Sequence, residues 1–290
     1  MYPELFSIGP ITVHSFGLMM GIAFIVANYF FAKEIVRRGL PEEVAGNVTL
    51  LALVAGIVGA KLFSVFENFG AFLADPFGEL FSAAGLTFYG GLLLAIVSIW
   101  VYLRRKKIPF IRVADAAAPT LILAYGIGRI GCQLAGDGDY GIPTNIPWAM
   151  TYPNGTVSTL SAKNAQLAEL YQTIFPGQPV PVDIPVHPAP VYETLAASAI
   201  FAFLWGIRKR PMAVGQMFAI YLILAGIERL LVEFIRLNDL YAGLSQAQWI
   251  SVGMIAIGSI MIYRNRTAPK EEYTQKPAAK PASAKRAHAR

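Results

Sequence analysis

The chain has 290 residues, 55% apolar and only 14% charged. Soluble domains carry about 25% charged residues, so a pair of ordinary soluble domains is excluded. The net charge of +6 is a matter of topology and not a nucleic-acid footprint, and the single cysteine, Cys132, excludes an internal disulfide and a Cys/His zinc cluster.

The apolar residues come in runs of about 20, the length that crosses a hydrocarbon core. In that solvent the backbone must bond to itself, so the runs predict helices. In chain order they are His14–Ala32, Val44–Phe66, Leu86–Leu103, Val113–Leu134, Pro190–Ile207, Val214–Phe234 and Ala247–Tyr263. The fold class is therefore all-α: a polytopic membrane protein of about seven transmembrane helices, forming one domain over residues 1–266. Residues 1–13 contain no Lys or Arg, so the first run lacks the basic leader of a cleavable signal peptide and is expected to stay.

Charge sets the expected orientation. Lys33, Arg37 and Arg38 follow the first run; Arg104, Arg105, Lys106, Lys107 and Arg112 follow the third; Arg208, Lys209 and Arg210 follow the fifth. With the tail, these segments hold nineteen of the 24 Lys and Arg, whereas the opposite loops hold Lys163 and Arg236. The positive-inside rule puts the N-terminus on the periplasmic side and the C-terminus in the cytoplasm. The segments 68–85 and 136–188 are then periplasmic. The first is amphipathic and suits the membrane surface. The second is rich in Pro, Gly, Asn and Thr, with a polar stretch, Ala162–Thr173, predicted as a short helix. The tail, 267–290, is basic and predicted disordered, with weak attraction to an anionic inner leaflet.

Charged residues inside a span are costly and mark function. Arg129 lies about 25 Å along its helix from Arg112, and Arg229 about 10 Å before Arg236. Both therefore sit in the outer half of the bilayer. Lys61 and Glu67 close the second run. His14, Tyr89-Gly90-Gly91, and His187 with Tyr192-Glu193 open the first, third and fifth. Polar groups from six helices thus share one level. Singly, each has a plainer reading: a long cation snorkels, a tyrosine joins the interfacial belt, paired glycines let helices touch. The shared depth argues against that reading for Arg129 and Arg229. Arg229, Glu233 and Arg236 stand at i, i+4 and i+7 on one helix face, as do Tyr125, Arg129 and Cys132. Two arginines in a partly dry cleft suit a phosphate, because the planar fork binds its oxygens in pairs. Glu233 is placed to hold Arg229. At that level the available phosphates are phospholipid head groups.

Around these residues the sequence resembles the prolipoprotein diacylglyceryl transferase family. Ile8 to Met19 (Ile-Gly-Pro-Ile-Thr-Val-His-Ser-Phe-Gly-Leu-Met) is similar to its opening, and Phe88-Tyr-Gly-Gly-Leu92 to its His-Gly-Gly-Leu segment. Gly128-Arg-Ile-Gly-Cys-Gln-Leu-Ala-Gly-Asp137, with Tyr140-Gly141, resembles the family signature. His187-Pro-Ala-Pro-Val-Tyr-Glu193 resembles its His-Pro-x-x-Tyr-Glu element, and Arg229 to Arg236 its Arg-x-x-x-Glu-x-x-Arg element. The five matches occur in order over nearly the whole chain. The resemblance implies a bacterial inner-membrane enzyme with its site facing the periplasm. It would move the diacylglyceryl group of phosphatidylglycerol to the lipobox cysteine of a preprolipoprotein signal peptide. No cofactor, metal or nucleic acid is implied. Arg129, Arg229, Glu233 and Tyr89 would be catalytic. Arg129, Gly90, Gly91, His14, Asp137, Tyr192, Glu193 and Arg236 would bind the lipid. Three positions depart from the pattern: Tyr89 replaces the family's histidine, Phe16 its tyrosine and Cys132 its asparagine. Two alternatives stay open: a lipid transporter or flippase, and a family member that binds phosphatidylglycerol without transferring it. Polar residues off the midplane and the lack of an internal repeat count against the first.

Overall fold

In chain order, a computed structural model gives β1 (Glu4–Ile8), β2 (Ile11–His14), α1 (Ser15–Arg37), α2 (Glu43–Glu67), α3 (Phe69–Ala74), α4 (Pro76–Phe81) and α5 (Phe88–Arg105). Then follow α6 (Phe110–Ala135), α7 (Ala165–Ile174), α8 (Ala189–Ile207), α9 (Gln216–Glu233), β3 (Leu240–Tyr241), β4 (Leu244–Ser245) and α10 (Gln246–Arg264). The structure describes residues 1–9, 11–81, 87–238 and 240–271. The last four residues of the expected 68–85 segment, with the start of the third predicted run, and the tail from 272 onward lie outside the described residues. Before that point Glu271 is tied back, its N–H to the Met212 carbonyl (3.0 Å) and its carboxylate to Arg112 (2.5 Å).

All seven apolar runs are helices. Six of them, α1, α2, α5, α6, α8 and α10, are long and apolar enough to cross a membrane. The seventh, α9, carries Glu228, Arg229 and Glu233 within its 18 residues. Helix α6 is the centre of the bundle: it packs on α1, α8 and α9, while α5 packs chiefly on α2 and α10 on α9. Small residues explain these contacts, since in lipid close backbone approach replaces apolar burial as the driving force. A Cβ on Gly59 would stand 2.5 Å from the Gly90 carbonyl oxygen, and one on Gly91 2.6 Å from that of Gly56. A Cβ on Gly126 would meet Ala197 of α8 at 3.0 Å.

Proline shapes the middle of α6. Pro119 has no N–H, so the Asp115 carbonyl four residues earlier lacks its helical donor. Arg38 reaches it from the end of α1 with Nη2 at 3.4 Å. The Asp115 carboxylate accepts from the backbone N–H groups of Gly215 (2.6 Å) and Phe218 (2.8 Å), closing the start of α9. Nearby, buried Glu34 binds Arg37 (2.6 Å), Arg208 (3.2 Å) and Arg38 (3.7 Å). This network closes the end of the bundle opposite the polar cluster described below.

The segment 136–188 folds as a lobe over the other end, around a core of Tyr140, Tyr152, Leu167, Tyr171, Ile184 and Val186. The expected short helix is α7, capped by Asn164, whose side chain accepts from Leu167 N–H (3.0 Å). Two small antiparallel sheets, β1–β2 and β3–β4, went unforeseen. Strands of two to five residues carry little alternation to read.

Candidate active site

Three helices bring their charged residues together where the lobe meets the bundle. Arg129 comes from the last turns of α6, Glu193 from the second turn of α8, Arg229 and Glu233 from the end of α9, and Arg236 from the turn after it. Glu193 is fully buried at the centre. Its Oε1 accepts from Tyr125 Oη (2.8 Å) and Arg229 Nη1 (2.9 Å). Its Oε2 lies 3.1 Å from Arg129 Nε and 3.6 Å from Arg236 Nη1, without an aligned hydrogen bond. A buried carboxylate of this kind is tolerable only because cations and donors surround it.

Two further carboxylates complete the network. Glu233 holds Arg229 Nη2 at 2.8 Å and lies 3.9 Å from Arg236 Nε. It also accepts from Ser245 Oγ (2.6 Å) and Asn238 Nδ2 (2.7 Å), so β4 and the turn after α9 fix its position. Ser245 doubles as the N-cap of α10 in a capping box with Gln248. Asp139, in the lobe's first loop, bonds Arg129 through one oxygen and Arg236 through the other. Burial alone would raise the Asp139 carboxyl. The Arg236 and Arg129 guanidiniums outweigh it and hold the group below the usual carboxylate range. Each of the three carboxylates therefore touches at least two of the three arginines.

The lobe backbone sets this geometry. Ile142 N–H donates to the Ile235 carbonyl (2.7 Å) and Gly141 N–H to that of His187 (2.8 Å), so the loop after Asp139 runs between the ends of α8 and α9. Gly141 can have no side chain there: a Cβ would sit 2.5 Å from the Ile235 oxygen. Gly136 ends α6 at a φ of +58°, where a Cβ would meet Gly155 Cα at 2.8 Å.

A cavity of about 280 Å3 opens beside the arginines, lined among others by Tyr89, Arg229, Glu233, Asn238 and Ser245. A second, of about 360 Å3, is lined by Tyr241, Gln246, Trp249 and Ile250. They share Tyr241 and Gln246, so a polar hollow runs on to an apolar flank of α10.

The expected residues separate into three groups. Arg129, Arg229, Glu233, Arg236 and Glu193 come together as described; of these Arg229 and Glu233 line the cavity, and Arg129, Arg236 and Glu193 lie behind them. Tyr89 lines the cavity. The others make no ion pair with the three arginines, although the Asp137 carboxylate stands beside that of Asp139. Gly90 and Gly91 are buried against α2. His14 is exposed at the entrance to α1. Tyr192 accepts from Trp148 Nε1 (2.8 Å) and lies 3.4 Å from His187 Nδ1; burial lowers the His187 pKa, which keeps that ring neutral. Asp137 accepts the Asp139 N–H (3.2 Å) and makes no ion pair with the arginines. The acidic group on the arginines is Asp139, with Ser245 and Asn238 as further partners that the sequence did not single out. Cys132 is buried, with Arg129 Nη1 at 3.6 Å. Donor atoms of Cys132, Asp137 and Asp139 lie within 4.8 Å of one another, but Arg129 and Arg236 already neutralise Asp139 there, which disfavours a cation.

Comparison with known proteins points one way. The family model described as prolipoprotein diacylglyceryl transferase matches residues 3–264. A phosphatidylglycerol–prolipoprotein diacylglyceryl transferase of Photorhabdus laumondii is 32% identical, over 90% of this chain and 91% of its own length. Proteins of the same description from Shigella boydii and Vibrio cholerae are each 30% identical. They cover 93% and 92% of this chain and 95% and 96% of their own lengths.

Proposed function

The chain belongs to the prolipoprotein diacylglyceryl transferase family, and from that premise we propose how its arginine cleft transfers the diacylglyceryl group of phosphatidylglycerol to a lipobox cysteine of a preprolipoprotein, the first step of lipoprotein maturation. One observation carries the reading. Three arginines, one from the end of α6 and two from the end of α9 and the turn after it, converge on one buried glutamate, beside a hollow that leads to an apolar groove. A phospholipid needs both: cations for its phosphate and an apolar flank for its chains.

In the transfer, the acceptor sulfur attacks the glyceryl carbon that bears the phosphate ester. A C–S bond forms, the C–O bond breaks, and its electron pair leaves with glycerol-1-phosphate while the thiol proton passes to solvent. A free thiol has a pKa of about 8.5, lowered beside cations, so the cluster favours the thiolate. Positioned charge on the departing phosphate is commonly the largest catalytic effect. Arg229, on the cavity wall, takes the leaving-group charge, and Arg129 and Arg236 bind the phosphate. Glu233 and Glu193 are positioning residues that fix the guanidiniums. Tyr89 orients the head group. Gly90 and Gly91 serve the lipid indirectly by seating α5, and so Tyr89, against α2. His14, Asp137 and Tyr192 border the lobe at the same end.

The charge bias supports a site on the periplasmic side of a bacterial inner membrane, with the N-terminus outside and the C-terminus inside. Arg37, Arg38, Arg104 to Lys107 and Arg208 to Arg210 flank the helix ends far from the cleft. The test is full-length protein in nanodiscs containing phosphatidylglycerol, given a lipobox peptide. Thioether product with glycerol-1-phosphate release is expected. Lipid binding without release would show a non-catalytic member, and lipid movement without product a transporter.

A further inference from the structure

We propose that Asp139 is an exchangeable internal anion: it occupies the phosphate position between Arg129 and Arg236, yields it to the lipid phosphate, and returns to expel the phosphate product. The inference rests on the reading of the cleft as a phosphate site.

Charge balance motivates it. Arg129, Arg229 and Arg236 are matched in ion pairs by Glu193, Glu233 and Asp139, and the carboxyls of Glu228 and Asp137 stand close by, so the cluster carries no surplus positive charge for a ligand while the three paired carboxylates are engaged. One of them must give way. Glu193 and Glu233 are poor candidates. Their side chains are 0% and 1% exposed, both sit on helices, and each has neutral hydrogen-bond partners besides the arginines. Asp139 differs on every count. Its side chain is 31% exposed, it sits in a loop, and its side-chain partners are the two arginines. Its two oxygens each engage a different guanidinium, as two oxygens of one phosphate would.

The move required is small. The loop backbone is held where it is: a Cβ on Gly136 would meet Gly155 at 2.8 Å, and one on Gly138 would meet Val157 at 3.0 Å. A rotation about the Asp139 side-chain torsion, between staggered states, suffices to withdraw the carboxylate. Arg236 Nε, buried and without a hydrogen-bond partner, adds donor capacity to the vacated pair.

The same exchange aids turnover. A phosphodiester carries one negative charge, so it replaces Asp139 without changing the net charge. Cleavage creates a phosphomonoester, whose charge approaches −2 at neutral pH. That product would cling to the arginines. A carboxylate tethered a side chain away competes with it at high effective concentration.

The experiment measures inhibition of the full-length enzyme in phosphatidylglycerol nanodiscs by added glycerol-1-phosphate. Wild type is compared with Asp139→Asn, Asp139→Ser and Asp139→Glu, each taken from the folded, monodisperse fraction. If Asp139 fills the position most of the time, its removal unmasks the intrinsic affinity by about tenfold. Because the lipid phosphate competes for the same position, inhibition is read as Ki extrapolated to limiting phosphatidylglycerol; both neutral variants should show a Ki about a tenth of the wild-type value, with lower kcat, and Asp139→Glu should restore the weaker Ki. Equal or weaker inhibition in either neutral variant overturns the proposal and leaves Asp139 a structural strut. Failure of the underlying reading looks different: glycerol-1-phosphate would then inhibit Arg229→Ala, through residual activity or a thermal shift, as strongly as wild type.

Discussion

Two ion networks sit at opposite ends of the same helices, built from the same residue types. In one, Glu34 gathers Arg37, Arg38 and Arg208, and Asp115 closes on the backbone N–H groups that start α9. In the other, Glu193, Glu233 and Asp139 gather Arg129, Arg229 and Arg236 beside a cavity. The difference lies in what completes the carboxylates. Asp115 gives its oxygens chiefly to backbone N–H groups, with Arg38 3.7 Å away, and so ties the network of Glu34 and its three arginines to the start of a helix. The site carboxylates spend theirs mainly on side chains, and each guanidinium is shared among them. The first arrangement is anchored to backbone through Asp115, whereas the second meets a cavity through Arg229 and Glu233.

Substitutions that strike one network and spare the other would break this distinction if it is wrong. The largest effect is expected for Arg229→Ala: transfer to a lipobox peptide should fall by at least about 100-fold, roughly the loss from removing one preorganised oxyanion donor, while the protein stays folded. Arg208→Ala should leave turnover per folded molecule within about twofold of wild type. Turnover falling equally in both would erase the contrast.

Glu193→Gln comes next. It removes the central charge among three guanidiniums, and unpairing buried ions costs about 3–5 kcal/mol. Denaturant midpoints should drop and activity be lost together. Asp115→Asn should lower stability by about 1–3 kcal/mol, the penalty for buried donors left poorly satisfied, yet keep the turnover of what remains folded. Activity lost ahead of stability in Asp115→Asn would make that end part of the site.

Acid offers a gentler probe. The pairing of Asp139 depresses its folded pKa, so its stabilisation is complete above the unfolded value of about 4 and is lost only as pH falls through the depressed value. The gap in midpoint between wild type and Asp139→Asn should therefore be constant from about pH 7 to about pH 5 and close only below about pH 4. Closure already near pH 6 would show that the arginines do not hold this group. The smallest effect is expected at Cys132. Serine there should keep near-normal turnover, since the acceptor supplies the thiol and Cys132 is a small packed side chain.

The sequence made the helices legible because a run of apolar residues is a direct statement of solvent. It also made Arg129 and Arg229 legible, since depth along a span is arithmetic. Contacts that bring distant loops together were not. Asp137 and Asp139 lie two residues apart, with Gly138 between, and nothing in spacing says which carboxylate turns toward the arginines; the fold chooses Asp139. The resemblance placed Glu193 among lipid-binding residues, and the fold adds that it is buried as the hub of the cations, which nothing in its spacing announces. Ser245 and Asn238 follow α9 by a short stretch with no periodic signal; the turn after α9 brings Asn238, and the β3–β4 hairpin Ser245, onto Glu233.

The seam between α2 and α5 has a bearing on biogenesis. Gly59, Gly90 and Gly91 let two backbones touch with no side chain between them. A pair joined in this way draws its cohesion from dispersion at contact distance, which hydrocarbon does not weaken. These two helices can therefore dock as they leave the insertion machinery, before the arginines and their carboxylates have been synthesised. The wall that carries Tyr89 would then be a prefabricated part, waiting for the charged half to be fitted against it.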